Sequence, residues 1–158
     1  MGEILRKRIK QTKFDSPVQE ALLNLSVAAN YIRDELERVL APHGVTSAQY
    51  NVLRILRGVH PEGHPRGEIA LRMLDRAPDV TRLIDRLEEK GLVLRDRTSS
   101  DRRHSITRIS DAGLDLLEEI HPTIRDNFKK LRKRMSDEDC EALSRICEQI
   151  YGPDSEPK

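Results

Sequence analysis

Arginine is concentrated in the middle of this 158-residue chain. Residues 66–108 contain eleven basic side chains, ten of them arginine, against eight acidic ones. Two of these arginines, Arg82 and Arg86, are four residues apart, a spacing that places them on the same face of a helix. The planar guanidinium matches the geometry of phosphates and of guanine edges. The segment therefore predicts contact with an anionic partner, and duplex DNA presents both kinds of group.

The helix that would carry these arginines is predicted from Pro78 to Lys90, with Gly91 as its left-handed end. Its apolar residues share one face, and its polar residues lie on the other. The buried set is Val80, Leu83, Ile84 and Leu87, and the outward set that can enter a major groove is Thr81, Arg82 and Arg86, with Pro78 and Asp79 at the start. Asp79 also fits a helix cap. The acidic second half (Asp85, Glu88 and Glu89) should repel phosphate and tilt out of the groove.

A short helix from about Arg66 to Leu74 precedes this one, and the two form a helix-turn-helix candidate. After Gly91, residues 92–97 and 105–109 resemble strands and flank a polar loop. The pattern predicts a β-hairpin whose tip carries Asp101, Arg102 and Arg103. A ribbon of this kind reaches the minor groove, where Asp101 would pair with an arginine and orient it.

Three further segments have apolar residues at alternating spacings of three and four, namely 18–39, 114–135 and 140–150. One small lobe cannot cover three such seams, so a second copy of the chain is the natural partner. The predicted dimer interface consists of Val18, Leu22, Leu25, Phe128, Leu131, Leu143, Cys147 and Ile150. Pro122 lies inside the second seam and predicts a kink there, not a helix end.

The predicted fold is mainly α, a winged helix-turn-helix (α/β-hairpin) DNA-binding lobe with N- and C-terminal dimerisation helices. Its segments are a basic flexible arm (1–14), dimerisation helices (15–45 and 110–151), the DNA-binding lobe (46–109) and a flexible tail (152–158). Five aromatic residues and no tryptophan argue against single-strand binding by base stacking. No apolar run approaches 18 residues, so we expect no membrane partner and a cytoplasmic location in a bacterium or archaeon.

Other classes of function find less support in the residues. There is no Gly-rich phosphate loop, no His-Glu-x-x-His and no Gly-x-Ser-x-Gly, so the chain is predicted not to be an enzyme and to need no cofactor. Metal sensing stays open through His43, His60, Glu62 and His64, although Pro61 and Gly63 favour an ordinary loop, and no metal is predicted.

Two further alternatives remain. Redox sensing would need Cys140 and Cys147, which are seven residues apart on one helix and cannot bond to each other there. A winged helix can also serve as a protein-interaction module, its arginines meeting acidic partner surfaces.

One family combines these features. The run from Asp79 to Val93, followed by a basic wing and a capped helix, resembles the MarR family of bacterial winged-helix regulators. The resemblance covers about residues 16–150 and is carried by Thr46, Gln49, Val52, Leu53, 67–70, 79–93, Arg95, Arg97, Asp101, Arg102, Arg103, Ile109, Ser110 and Gly113. Ser110 stands where the family commonly has threonine, which should preserve the cap.

The resemblance implies a homodimer with recognition helix 78–90 in the major groove and wing 92–109 at the minor groove. Arg103 would be the minor-groove residue and Asp101 its support. It further implies sequence-specific binding to a pseudo-palindromic operator, with repression relieved by a small phenolic or other anionic effector. That effector would bind between the dimer helices and the DNA-reading lobe, where Tyr31, His43 and Tyr50 are candidates.

Overall fold

The structure, a computed structural model, describes residues 2–75, 79–96 and 105–152. The chain divides into two compact units, residues 1–120 and 121–158. The helices are α1 (Glu3–Ile9), α2 (Pro17–Leu40), α3 (Ser47–Arg57), α4 (Arg66–Arg72), α5 (Val80–Glu89), α6 (Asp111–Arg132) and α7 (Asp137–Tyr151), with a 3-10 turn at Ala41–His43. The strands are β1 (His64–Pro65), β2 (Val93–Arg95) and β3 (Ile106–Ile109).

A winged helix-turn-helix lobe lies within the first unit, as predicted. Helices α3, α4 and α5 contact one another, α3 also packs on β3, and α5 on β2. The sheet is antiparallel in the order β1–β3–β2, with His64 opposite Thr107 and Val93 opposite Ile109. Apolar side chains from every layer fill the core, among them Leu53, Leu56, Ile69, Ile84, Leu87 and Val93. The mainly helical fold with a small wing is therefore confirmed.

Local sequence signals set most helix starts. Ser16 caps α2 through the Gln19 N–H, with Pro17 as the first helical residue. Thr46 and Gln49 form the predicted capping box of α3, each side chain accepting from the other's backbone N–H. At the other end of the lobe, Gly91 has a φ of 70° directly after α5, which is the left-handed ending that the sequence predicts.

The reading helix begins later than the sequence predicts. Its first residue is Val80, and Asp79 is the N-cap. The Asp79 carboxylate accepts a hydrogen bond from the Arg82 N–H at 3.2 Å, which satisfies a free donor of the first turn. Pro78 lies outside the described residues.

Strand β1 was not predicted, because residues 58–65 resemble an ordinary loop rich in His, Pro and Gly. Gly63 makes the pairing possible. It has a φ of 78°, and a Cβ added there would overlap the Thr107 carbonyl oxygen. The third strand therefore depends on close approach of two backbones, which composition alone does not indicate.

The two ends of the chain also differ from the expected picture. Residues 3–9, assigned above to a flexible arm, form helix α1, in which Leu5 is buried. Helix α6 continues past Pro122, as expected of a proline that does not end its helix. Helix α7 has a capping box, Ser136 with Asp139. Of the tail, 153–158 lies outside the described residues.

Candidate DNA interface

Helix α5 separates its two faces cleanly. Val80, Ile84 and Leu87 are buried, whereas Arg82 and Arg86 are exposed. The Arg82 side chain is 79% exposed and its Nε lies 3.3 Å from the Asp79 carboxylate. Asp79 therefore has two contacts, one to the backbone and one to a guanidinium, and the prediction that it caps the helix is confirmed.

The acidic second half of α5 has a cationic partner that the sequence analysis missed. Arg95 of β2 places Nη2 at 2.5 Å from an Asp85 oxygen and Nε at 3.8 Å from a Glu88 oxygen. The Arg95 side chain is largely buried, so these pairs are less screened than surface ones. Arg95 offsets the negative charge that would oppose a phosphate and also links the wing to the reading helix.

Thr81, predicted as an outward residue, is half-buried and already has a partner. Its Oγ1 accepts a hydrogen bond from Nη1 of Arg66, the first residue of α4, at 3.0 Å. Sequence reasoning missed Arg66, because a contact between residues fifteen positions apart leaves no local pattern.

The stem of the wing is held by polar contacts across the hairpin. Arg108 Nη1 lies 3.6 Å from an Asp96 oxygen, and the Ser105 hydroxyl donates to the Asp96 carbonyl at 2.6 Å. The predicted tip residues Asp101, Arg102 and Arg103 lie outside the described residues, so their roles stay predictions.

Three long-range hydrogen bonds fix the helices of the lobe. Asn51 of α3 accepts from the Leu74 N–H at 2.9 Å and so holds the chain just after α4. Glu37 of α2 accepts from the Ser47 N–H at 3.0 Å. Lys90, at the end of α5, donates to the Gly44 carbonyl that follows α2.

One residue joins the wing to α6. The Ser110 hydroxyl donates to the Gly91 carbonyl at 2.6 Å and accepts from the Gly113 N–H at 3.1 Å. A Cβ added at Gly113 would overlap the Leu92 carbonyl oxygen, so the first turn of α6 lies directly on the backbone that follows α5. Ser110 thus preserves the predicted cap.

The candidate effector residues occupy different surroundings. Tyr31 is exposed on α2. Tyr50 is buried and accepts from Arg54 Nη1 at 3.2 Å, and His43 Nδ1 lies 3.5 Å from a Glu119 oxygen. Across the described ranges no hydrogen bond or ion pair joins any two of these three side chains, and the effector site stays a prediction.

The predicted dimer residues divide between exposed and half-buried positions. Val18 and Leu22 on α2, Phe128 on α6, and Leu143 and Ile150 on α7 are exposed, whereas Leu25, Leu131 and Cys147 are half-buried. Cys140 and Cys147 are free thiols. Helix α7 has no buried residue at all.

Two other kinds of site were searched for. In residues 2–75, 79–96 and 105–152, no cluster of three or more His, Cys, Asp or Glu side chains is placed to hold a metal ion. Over the same residues, no helix is both long and apolar enough to cross a bilayer.

Comparison with known proteins identifies the family. The MarR family model matches residues 45–105, which span the lobe from α3 to the start of β3. The HTH-type transcriptional regulator YwoH of Bacillus subtilis is 33% identical over 122 residues, covering 77% of this chain and 87% of that protein.

Solved structures agree with the sequence comparison. A MarR transcription factor from Planctomyces limnophilus is 38% identical, with a TM-score of 0.67, covering 87% of this chain and 99% of the other. The Staphylococcus aureus MepR–DNA complex shares the fold at 19% identity, with a TM-score of 0.72 and coverage of 82% and 94%. This chain therefore belongs to the MarR family of DNA-binding, winged helix-turn-helix transcriptional regulators.

Proposed function

We propose that the chain acts as a homodimeric repressor that binds a pseudo-palindromic duplex, with α5 in the major groove and the wing at the minor groove. Its DNA-contacting residues are Pro78, Asp79, Thr81, Arg82, Arg86, Asp101, Arg102 and Arg103. A small phenolic or other anionic effector releases the DNA in this proposal.

The observation that carries the proposal is the charge arrangement on α5. Arg82 and Arg86 are exposed on the outward face, and the acids behind them are paired by Arg95. The helix therefore offers guanidinium groups to a partner without the repulsion that unpaired Asp85 and Glu88 would cause. An α-helix fits the major groove, where a bidentate arginine distinguishes guanine from other bases.

The exposed apolar seams support the dimer. Val18 and Leu22 recur at helical spacing on α2, and Leu143, Ile146 and Ile150 do so on α7. Their burial by a second copy would remove apolar area from water, which is the usual driving force of association. Two copies also fit two half-sites about 34 Å apart, one turn of the double helix.

The experiment uses the operator that the purified protein selects from a random duplex library. We expect Arg86→Ala and Arg103→Ala each to cost about 1–3 kcal/mol of operator affinity while leaving the melting temperature unchanged. Arg145→Ala is the control, because it removes the same charge from α7. Titrations of each variant by fluorescence anisotropy measure the effect.

Wild-type affinity in both Arg86→Ala and Arg103→Ala would contradict the proposed interface. The protein-interaction alternative makes a different prediction: duplex binding would be absent or nearly independent of salt. A DNA interface instead gives a log–log salt slope near −0.9 for every phosphate contact.

A further inference from the structure

Arg66 is an exposed arginine that none of the assignments above includes. It is the first residue of α4, and its Nη1 donates to Oγ1 of Thr81 on α5 at 3.0 Å. Thr81 lies next to Arg82 on the part of α5 that is proposed to enter the groove. A guanidinium within hydrogen-bond distance of Thr81 must therefore lie beside the same surface, although it comes from the other helix of the motif.

The charge of Arg66 is not offset by a neighbouring acid. Most arginines nearby are paired: Arg72 with Glu68, and Arg95 with Asp85. Among the residues that the structure describes, no carboxylate oxygen lies within 4.0 Å of Arg66. The contact with Thr81 uses one of five guanidinium N–H donors, so a fork suited to phosphate oxygens stays available.

We propose that Arg66 is a further DNA-contacting residue, which binds a backbone phosphate beside the reading helix while the Thr81 hydroxyl holds its guanidinium in place. This assignment rests on the proposed function. In helix-turn-helix proteins the first helix of the motif crosses the sugar–phosphate backbone while the second reads the bases. Arg66 lies on that first helix, so its partner is a phosphate and not a base.

The test compares Arg66→Gln, Arg66→Lys and Arg72→Gln over a series of salt concentrations, on the operator and on an unrelated duplex. For Arg66→Gln we expect affinity for both duplexes to fall by a similar factor, on the order of tenfold, and the salt slope to decrease by about 0.9. Arg66→Lys keeps the charge and should keep the slope while losing part of the affinity. Arg72→Gln makes the same change on another face of α4 and should leave the slope unchanged.

A second variant tests the role of Thr81. Thr81→Val should weaken binding to the unrelated duplex in the wild-type background but not in the Arg66→Gln background, because the guanidinium that it positions is then absent. Additive effects of the two substitutions would contradict this coupling. The comparison holds even if either variant changes the melting temperature, since both backgrounds contain the same Thr81 substitution.

The outcomes separate this inference from the proposed function. Wild-type affinity and slope in Arg66→Gln, together with a loss in Arg86→Ala, would overturn the Arg66 assignment alone. A loss of discrimination between operator and unrelated duplex at unchanged slope would overturn it as well, because it indicates a base contact. Full affinity in both Arg66→Gln and Arg86→Ala would overturn the proposed function itself.

Discussion

The reading lobe and the long helices treat their apolar residues differently. In the lobe, Leu53 and Ile84 are 0% and 1% exposed. On α2 and α7, Val18 and Ile150 are 66% and 47% exposed, although they recur at the same helical spacing. The lobe thus buries its own apolar surface, whereas the seams leave theirs open to a partner. Regular spacing predicts an apolar face in both regions but does not reveal what covers it.

The largest expected effect concerns the lobe core. Leu53→Ala should lower the free energy of unfolding by about 2–5 kcal/mol, because it leaves a cavity among fully buried side chains. Leu22→Ala makes the same change on the α2 seam. Urea unfolding at two protein concentrations roughly a hundred-fold apart distinguishes the regions, since only a residue buried by association depends on concentration. A concentration-independent Leu22→Ala effect as large as that of Leu53→Ala would invalidate the comparison.

The next effect concerns association. Leu143→Glu places a charge on the exposed seam of α7 and should weaken self-association about tenfold or more, or roughly 1.4 kcal/mol. Sedimentation velocity over a dilution series measures the change. Leu74→Glu is the matched control, because Leu74 is equally apolar and even more exposed but lies in the lobe. Equal weakening by both substitutions would show that the α7 seam has no special role.

The smallest effect is a pH dependence confined to α7. A backbone N–H and then the Ser136 hydroxyl hold the pKa of Glu138 below its ordinary value of 4.5. Because the folded state favours the charged carboxylate, its contribution is present above that value and is lost as the pH falls through the lowered pKa. Glu138→Gln should therefore reduce the acid sensitivity of unfolding slightly, as followed by circular dichroism between about pH 6 and pH 3. Identical pH profiles for the variant and the wild type would contradict it.

Features encoded within one helical turn could be predicted from the sequence. The capping box of Thr46 and Gln49, the left-handed Gly91 and the two faces of α5 depend on neighbours at most a few positions away. The MarR family and the winged fold follow from such signals taken together. The outward arginines Arg82 and Arg86 were found in the same way, because periodicity separates the two faces of a helix.

Contacts between distant parts of the chain could not be predicted. Arg95 with Asp85, and Arg66 with Thr81, depend on how helices and strands pack, and nothing in the sequence near either residue selects its partner. Strand β1 has only two residues and one is proline, so it lacks the alternation that marks longer strands. Leu74 shows the converse: it continues an apolar pattern and yet is exposed, because α4 ends at Arg72.

The double hydrogen bond of Ser110 has a mechanical consequence. No spare residues separate β3 from the first turn of α6, and the same hydroxyl also binds the glycine that ends α5. A joint without slack transmits rotation: the base of α6 cannot swivel against the wing stem unless both bonds break. The direction in which this long helix leaves the lobe is therefore set by the backbone at a single serine and does not depend on a hinge.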